Sequence, residues 1–193
     1  MNTTTAVLSG KDNFDHFWAE IAPAEHIVQI YTSGDMFIDS LERFAGNGIQ
    51  QEEGVIVIAT GEHIRALNQR LTARGFNIKD ALVKQQYIPL DAEEMLAKFM
   101  VNNWPDEKLF EQLIAGLLAE AGKNGRRVRA FGEMVAILWA TGHMDATHQL
   151  EQMWEALCQR KLLSLFCAYP KSGFTQNTEA SILEICKTHS RVI

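Results

Sequence analysis

Six histidines, three cysteines and 24 acidic residues are the groups in this 193-residue chain that could bind a metal, move a proton or attack a substrate. Their local spacing matches none of the usual signatures for those tasks. There is no HExxH, and His143 and His148, five apart, do not share a helical face. His26 opens an apolar run and reads as a hydrogen-bonded structural residue, so the expectation is no metal and no cofactor. Cys158, Cys167 and Cys186 lack CxxC spacing and read as reduced thiols, with Cys167 a small buried hydrophobe inside an apolar segment. A GxSxG elbow is missing as well. Asp91 and Glu133 could work as an acid/base pair, but each stands where a helix begins, and capping and the helix dipole favour a carboxylate there too.

Phosphate chemistry fares no better. The stretch Tyr31–Ile38 (YTSGDMFI) has one glycine and no Lys-Ser or Lys-Thr pair, and Asp35 puts negative charge where a phosphate would lie. Gly46-Asn-Gly48 falls inside or at the end of a helix and is no dinucleotide fingerprint. A net charge of -6 with pI near 5.5 argues against a nucleic-acid surface, and the basic run Lys123–Arg129 is short.

The elements that must position these residues alternate along the chain. Phe14, Phe17, Trp18 and Ile21 mark one face of an N-terminal helix, which packs either on the domain's own sheet or on a partner. Strands are expected at His26–Tyr31, Val55–Ala59, Gln86–Asp91, Arg127–Phe131 and Leu162–Tyr169. Between them come helices from Asp35, from Thr60 to Arg74, from Ala92 to Val101, from Pro105, from Gly132 to Trp139 and from Asp145 to Gln159, and Thr178–His189 forms a terminal helix. Pro89 cannot donate to a sheet ladder, so its strand is at an edge, bulged or short. Each crossover contains a helix, and the fold class is therefore α/β, three layers, with a largely parallel sheet of about five or more strands and helices on both faces. The expected division is an N-terminal tail and helix over 1–24, the main domain over 25–170, and a C-terminal helix over 171–193 packing on the same domain. The longest apolar run is seven residues, Met134–Ala140, too short to span a membrane, and with reduced thiols it suggests a cytoplasmic protein.

In open parallel sheets ligands bind beyond the carboxyl ends of the strands. That rim collects Tyr31, Ser33, His63, Asp91, Phe131, Glu133, Met134, Trp139, Cys167 and Tyr169 as candidate ligand-binding residues. Aromatic and apolar groups dominate, with Glu133 and His63 as polar members, which suits a small, weakly polar guest or a filled core.

Six segments in order resemble the MEDS domain, the methanogen/methylotroph sensory domain of prokaryotic signalling proteins. They are His26–Tyr31, Val55–Thr60 with Glu62 and His63, Leu90–Ala92, Arg129–Trp139 (RAFGEMVAILW), Leu150–Trp154 and Leu165–Pro170, covering about residues 24 to 170. The resemblance implies a RecA-like core without its nucleotide loop and a sensor for simple hydrocarbon derivatives, joined to a histidine kinase or a DNA-binding output. The stretch after Pro170 is short for an output domain, so a non-catalytic sensor is expected to signal in trans to a histidine kinase or transcriptional regulator, with a homodimer also open. The rival readings are a residual NTPase or small-molecule transferase using Asp91 and Glu133, and a ligandless interaction module.

Overall fold

A computed structural model describes residues 16–161, 163–175 and 178–193. Phe14 of the expected N-terminal helix and Leu162 of the expected fifth strand lie outside these residues. A six-stranded, all-parallel sheet is built from β1 (His26–Tyr31), β2 (Gly54–Ala59), β3 (Tyr87–Asp91), β6 (Val128–Gly132), β7 (Ser164–Pro170) and β8 (Arg191–Val192). Its spatial order is β3-β2-β6-β7-β1-β8. The separate strands β4 (Met100–Val101) and β5 (Trp104–Pro105) form a small antiparallel hairpin.

Alternation along the strands sorts side chains onto two faces, as the two-residue period requires. Ile27, Val55, Val57, Phe131, Phe166 and Ala168 pack on one face beneath α1 (Gly34–Gln50) and α2 (Gly61–Ala73). Trp18 and Ile21 join this core, with the Trp18 ring 4.9 Å from Phe166 and 5.8 Å from Phe44, so the N-terminal aromatics dock on their own domain. The opposite face carries Val28, Ile56, Ile58, Ala130, Leu165, Cys167 and Tyr169. Over it lie α4 (Ala92–Ala97), α5 (Glu107–Ala121), α6 (Met134–Ala140), α7 (Met144–Lys161) and α8 (Thr178–Lys187). Together these form the expected three-layer α/β sandwich.

Local chemistry explains the element ends. Ser33 Oγ accepts from Met36 N–H to start α1, and Thr60 Oγ1 accepts from His63 N–H to start α2. Past α2, Gly75 takes φ +91°, which closes the helix at little steric cost. β3 is an edge strand, where Pro89 removes no hydrogen bond from an interior ladder.

Three features differ from the sequence expectation. The helix expected to run to Val101 stops at Ala97, because Asn102 and Asn103 take φ 51° and 60° and turn the chain into the β4–β5 hairpin. A short α3 (Ile78–Val83), capped by Asn77, precedes β3. β8 adds a sixth strand after the terminal helix.

Candidate functional site

The crossover order makes the loops at the carboxyl edge diverge. After β1 and β2 the chain passes to the α1/α2 face, and after β6 and β7 it passes to the other face, so the gap between the neighbouring strands β2 and β6 is a topological switch. Glu133 bridges that switch. It follows β6, and its backbone N–H donates to Ile58 O at 2.8 Å. Its side chain makes no capping hydrogen bond to α6. Instead Oε2 accepts from Thr60 N–H at 2.8 Å and Oε1 meets His63 Nδ1 at 2.8 Å. The carboxylate thus ties the β6–α6 loop to the β2–α2 loop.

An aromatic wall continues from this pair. Phe37 sits edge-on to His63 at 4.9 Å, stacks on Tyr31 at 4.9 Å and approaches Phe131 at 5.6 Å. The hydrogen bond to Glu133 raises the His63 pKa against the opposing effect of burial, and the charges of Glu133 and Glu62 add to the rise. Burial, then the Glu133 charge, pushes the Tyr31 hydroxyl up to about 12, so this phenol stays protonated and can donate. The group thus presents an aromatic face and a protonated phenol beside a carboxylate whose two oxygens are engaged by Thr60 and His63. A phosphate there would meet Glu133 and the exposed Asp35.

The remaining expected residues scatter. Ser33 is exposed and spent on its cap. Asp91 caps α4, with Oδ1 accepting from Glu93 and Glu94 N–H at 3.0 and 3.1 Å. Phe131 and Met134 are fully buried, in the cores of opposite faces. Trp139, at the far end of α6, donates its indole N–H to Gly173 O at 3.0 Å and packs on Phe174 at 5.0 Å. Beside it is a hollow of about 360 Å³, lined by Trp139, Gly142, Met144, Ser172, Gly173 and Thr175. Cys167 and Tyr169 point away from the rim into the interior beneath α7, where the Tyr169 hydroxyl donates to Glu151. The ten candidates therefore do not share one pocket: Tyr31, His63 and Glu133 gather around Phe37, Trp139 borders a separate hollow, and Cys167 and Tyr169 belong to a buried polar cluster.

A larger hollow of about 630 Å³ lies at the opposite edge, around Gln51–Glu53, Gln86 and Asn124–Arg127. Three of its polar side chains are engaged: Gln86 Nε2 donates to Ile49 O, Arg126 to Lys84 O and Arg127 to Ile21 O. The carboxyl edge differs in that its engaged polar groups, Glu133, Thr60 and His63, tie together loops that leave the sheet on opposite faces. Phe37 and Phe174 were not among the residues expected there. Phe37 fits the inward stripe of α1 and reads as core from its spacing, and Phe174 follows a short 3-10 turn that carries no periodic signal.

Comparison with known families gives one match. The family model described as "MEthanogen/methylotroph, DcmR Sensory domain" (MEDS) fits residues 25–190, from the residue before β1 to the residue before β8. A search of curated proteins finds no match. Among the described residues no helix is long and apolar enough to cross a membrane.

Proposed function

Since the chain belongs to the MEDS sensory-domain family, we propose that it is a non-catalytic sensor of a small, weakly polar organic molecule, read out through α6. What supports this is the placement of that helix. It starts directly after Glu133, which is tied across the switch to Thr60 and His63, and carries in its last turn Trp139, which borders the hollow of about 360 Å³. That volume, about 360 Å³, is at the small end of ligand sites. A guest against Trp139 presses on one end of α6, and the Glu133–His63 link at the other end makes or breaks. Only the guest's differential affinity for the two arrangements shifts their populations, and a tenfold response needs about 1.4 kcal/mol. The signal then passes to a partner, a histidine kinase or a transcriptional regulator.

Thermal-shift and tryptophan-fluorescence titrations with small alcohols, haloalkanes, amines and carboxylates test the reading. At least one class is expected to raise the melting temperature and change the emission of the wild type, with the emission change lost in Trp139→Phe. A flat response across the panel at millimolar concentration overturns it. Tight magnesium-dependent ATP binding would replace it with the enzymatic reading.

A further inference from the structure

Beneath α7, four side chains from four separate segments converge. They are His26 at the start of β1, Glu151 on α7, Cys167 in β7 and His189 between α8 and β8, and one ligand atom from each lies within 4.8 Å of the others. His26 Nε2 and His189 Nε2 are each 3.5 Å from Glu151 Oε2, and Cys167 Sγ is 3.5 Å from His26 Nε2 and 3.9 Å from Glu151 Oε2. The side chains of His26, Glu151 and His189 are 0% exposed, as is Cys167.

The outer contacts decide what these atoms offer. His26 Nδ1 meets Glu155 Oε2 at 2.9 Å, and His189 Nδ1 meets Ile185 O at 2.7 Å. Both partners only accept, so each ring carries its proton on Nδ1 and, when neutral, turns a bare lone pair on Nε2 toward Glu151. Burial favours the neutral ring at both positions. His189 Nε2 has no hydrogen-bond partner. Lone pairs from two imidazoles and a carboxylate thus face one point in a dry interior; the Cys167 thiol can donate to His26 Nε2, but His189 Nε2 is left without a partner, which is costly unless a proton or a metal cation sits among them.

The geometry points to a binding site for one zinc-type dication at His26 Nε2, Glu151 Oε2, Cys167 Sγ and His189 Nε2. Bonds of 2.0–2.3 Å in a tetrahedron put ligand atoms about 3.3–3.8 Å apart; four of the six pairs here stand at 3.5–3.9 Å and all lie within 4.8 Å, so metal binding asks for a contraction of the wider pairs. Two imidazoles, a thiolate and a carboxylate suit zinc better than magnesium or calcium. A thiolate, a carboxylate and a dication sum to zero charge, which suits complete burial, and the thiol proton leaves to solvent on binding. Glu155 and the Ile185 carbonyl orient the two rings, and the Tyr169 hydroxyl holds the other Glu151 oxygen, the outer-shell pattern of metal sites. Four protein ligands leave no open position, so the metal is structural and clips the α8–β8 segment to β1 and β7.

The full chain, purified without chelator and also refolded with Co²⁺ alone, tests this. About one metal per chain is expected, with a thiolate-to-cobalt absorption in the near ultraviolet and tetrahedral visible bands. Removing the metal with a strong chelator is expected to lower the melting temperature. Glu155, partly exposed, is a mild site to alter: Glu155→Gln is expected to keep the fold and weaken binding by about 10–100-fold. Cys167→Ser is expected to abolish the thiolate band, and Cys186→Ser to leave it intact. Folded wild type that takes up neither Zn²⁺ nor Co²⁺ overturns the site in favour of a proton shared by His189 and Glu151. Unchanged Co²⁺ spectra in Cys167→Ser overturn it as well.

Discussion

The contact between His63 and Glu133 has a consequence for stability. His63 loses its proton less readily in the folded chain, because Glu133 Oε1 accepts from its ring. A group whose folded pKa lies above its unfolded value, near 6.5, stabilises the fold fully below that value and loses the contribution as pH rises through the folded pKa. The charged groups acting on His63 are Glu133 from the β6–α6 loop and Glu62 beside it on α2, both acidic. Tyr31, pushed up to about 12, does not titrate in this window. Glu151, pushed up to about 7 by burial, titrates in the same window, and His26 and His189, lowered to about 3 by burial, act with the opposite sign, so the His63 contribution is read as a difference. The unfolding free energy of the wild type relative to Glu133→Gln, measured by urea titration, is expected to fall as pH rises from about 6.5. An equal slope in the variant would place the titration elsewhere. At this scale the sequence was legible only where position alone implies chemistry: His63 and Glu133 follow strands and so reach the rim. Arg129 shows the limit. It ended a short basic run, yet its side chain is 1% exposed, paired with Glu53 and donating to Phe44 O at 2.9 Å. Its partner is 76 residues away, and no local pattern announces such a pairing.

Elements were easier to read than their ends. β-branched runs buried on both faces give unambiguous strands, and β2, with all six residues buried, is the clearest. The helix after β3 was overextended because Phe99, Met100 and Val101 continue its apolar pattern, whereas the deciding signal was the Asn102-Asn103 pair. Both asparagines take positive φ, as a two-residue hairpin of the primed type requires. Asn tolerates that region better than most residues, and a β-branched side chain does not. Asn103→Val is expected to cost about 1–2 kcal/mol, and Asn103→Gly to be neutral or slightly stabilising. Denaturant midpoints of the two variants check this, and a Val variant as stable as wild type would mean that the turn does not hold its geometry in solution. The two-residue β8 carries no periodicity to detect, and the buried cluster of His26, Glu151, Cys167 and His189 is spread over 163 residues of sequence, so only the assembled sheet brings it into view.

At the scale of the whole molecule, β8 decides what the sheet presents at one side. β1 is apolar and would otherwise be an edge strand, open to pairing with another chain. The last residues close it. Ser190 N–H donates to His26 O, Ser190 Oγ accepts from His26 N–H, Ile193 N–H donates to Val28 O, and Ile30 N–H donates to Ile193 O. Arg191 adds an ion pair with Glu25 at 2.8 Å and lies over the Phe17 ring at 5.3 Å. Each net hydrogen bond contributes about 0.5–1.5 kcal/mol, so deleting residues 190–193 is expected to cost about 2–6 kcal/mol. The larger effect is on association. With its edge uncovered, β1 offers free N–H and C=O groups flanked by Ile27, Val28 and Ile30, and two such edges can pair antiparallel about a two-fold axis. The truncated chain is expected to gain mass with concentration in light scattering, relative to the full chain under the same conditions. Replacing Val28 by proline in the truncated chain tests the route, because proline blocks edge pairing at that position. If the truncated chain scatters as the full chain does at every concentration, β8 does not guard this edge.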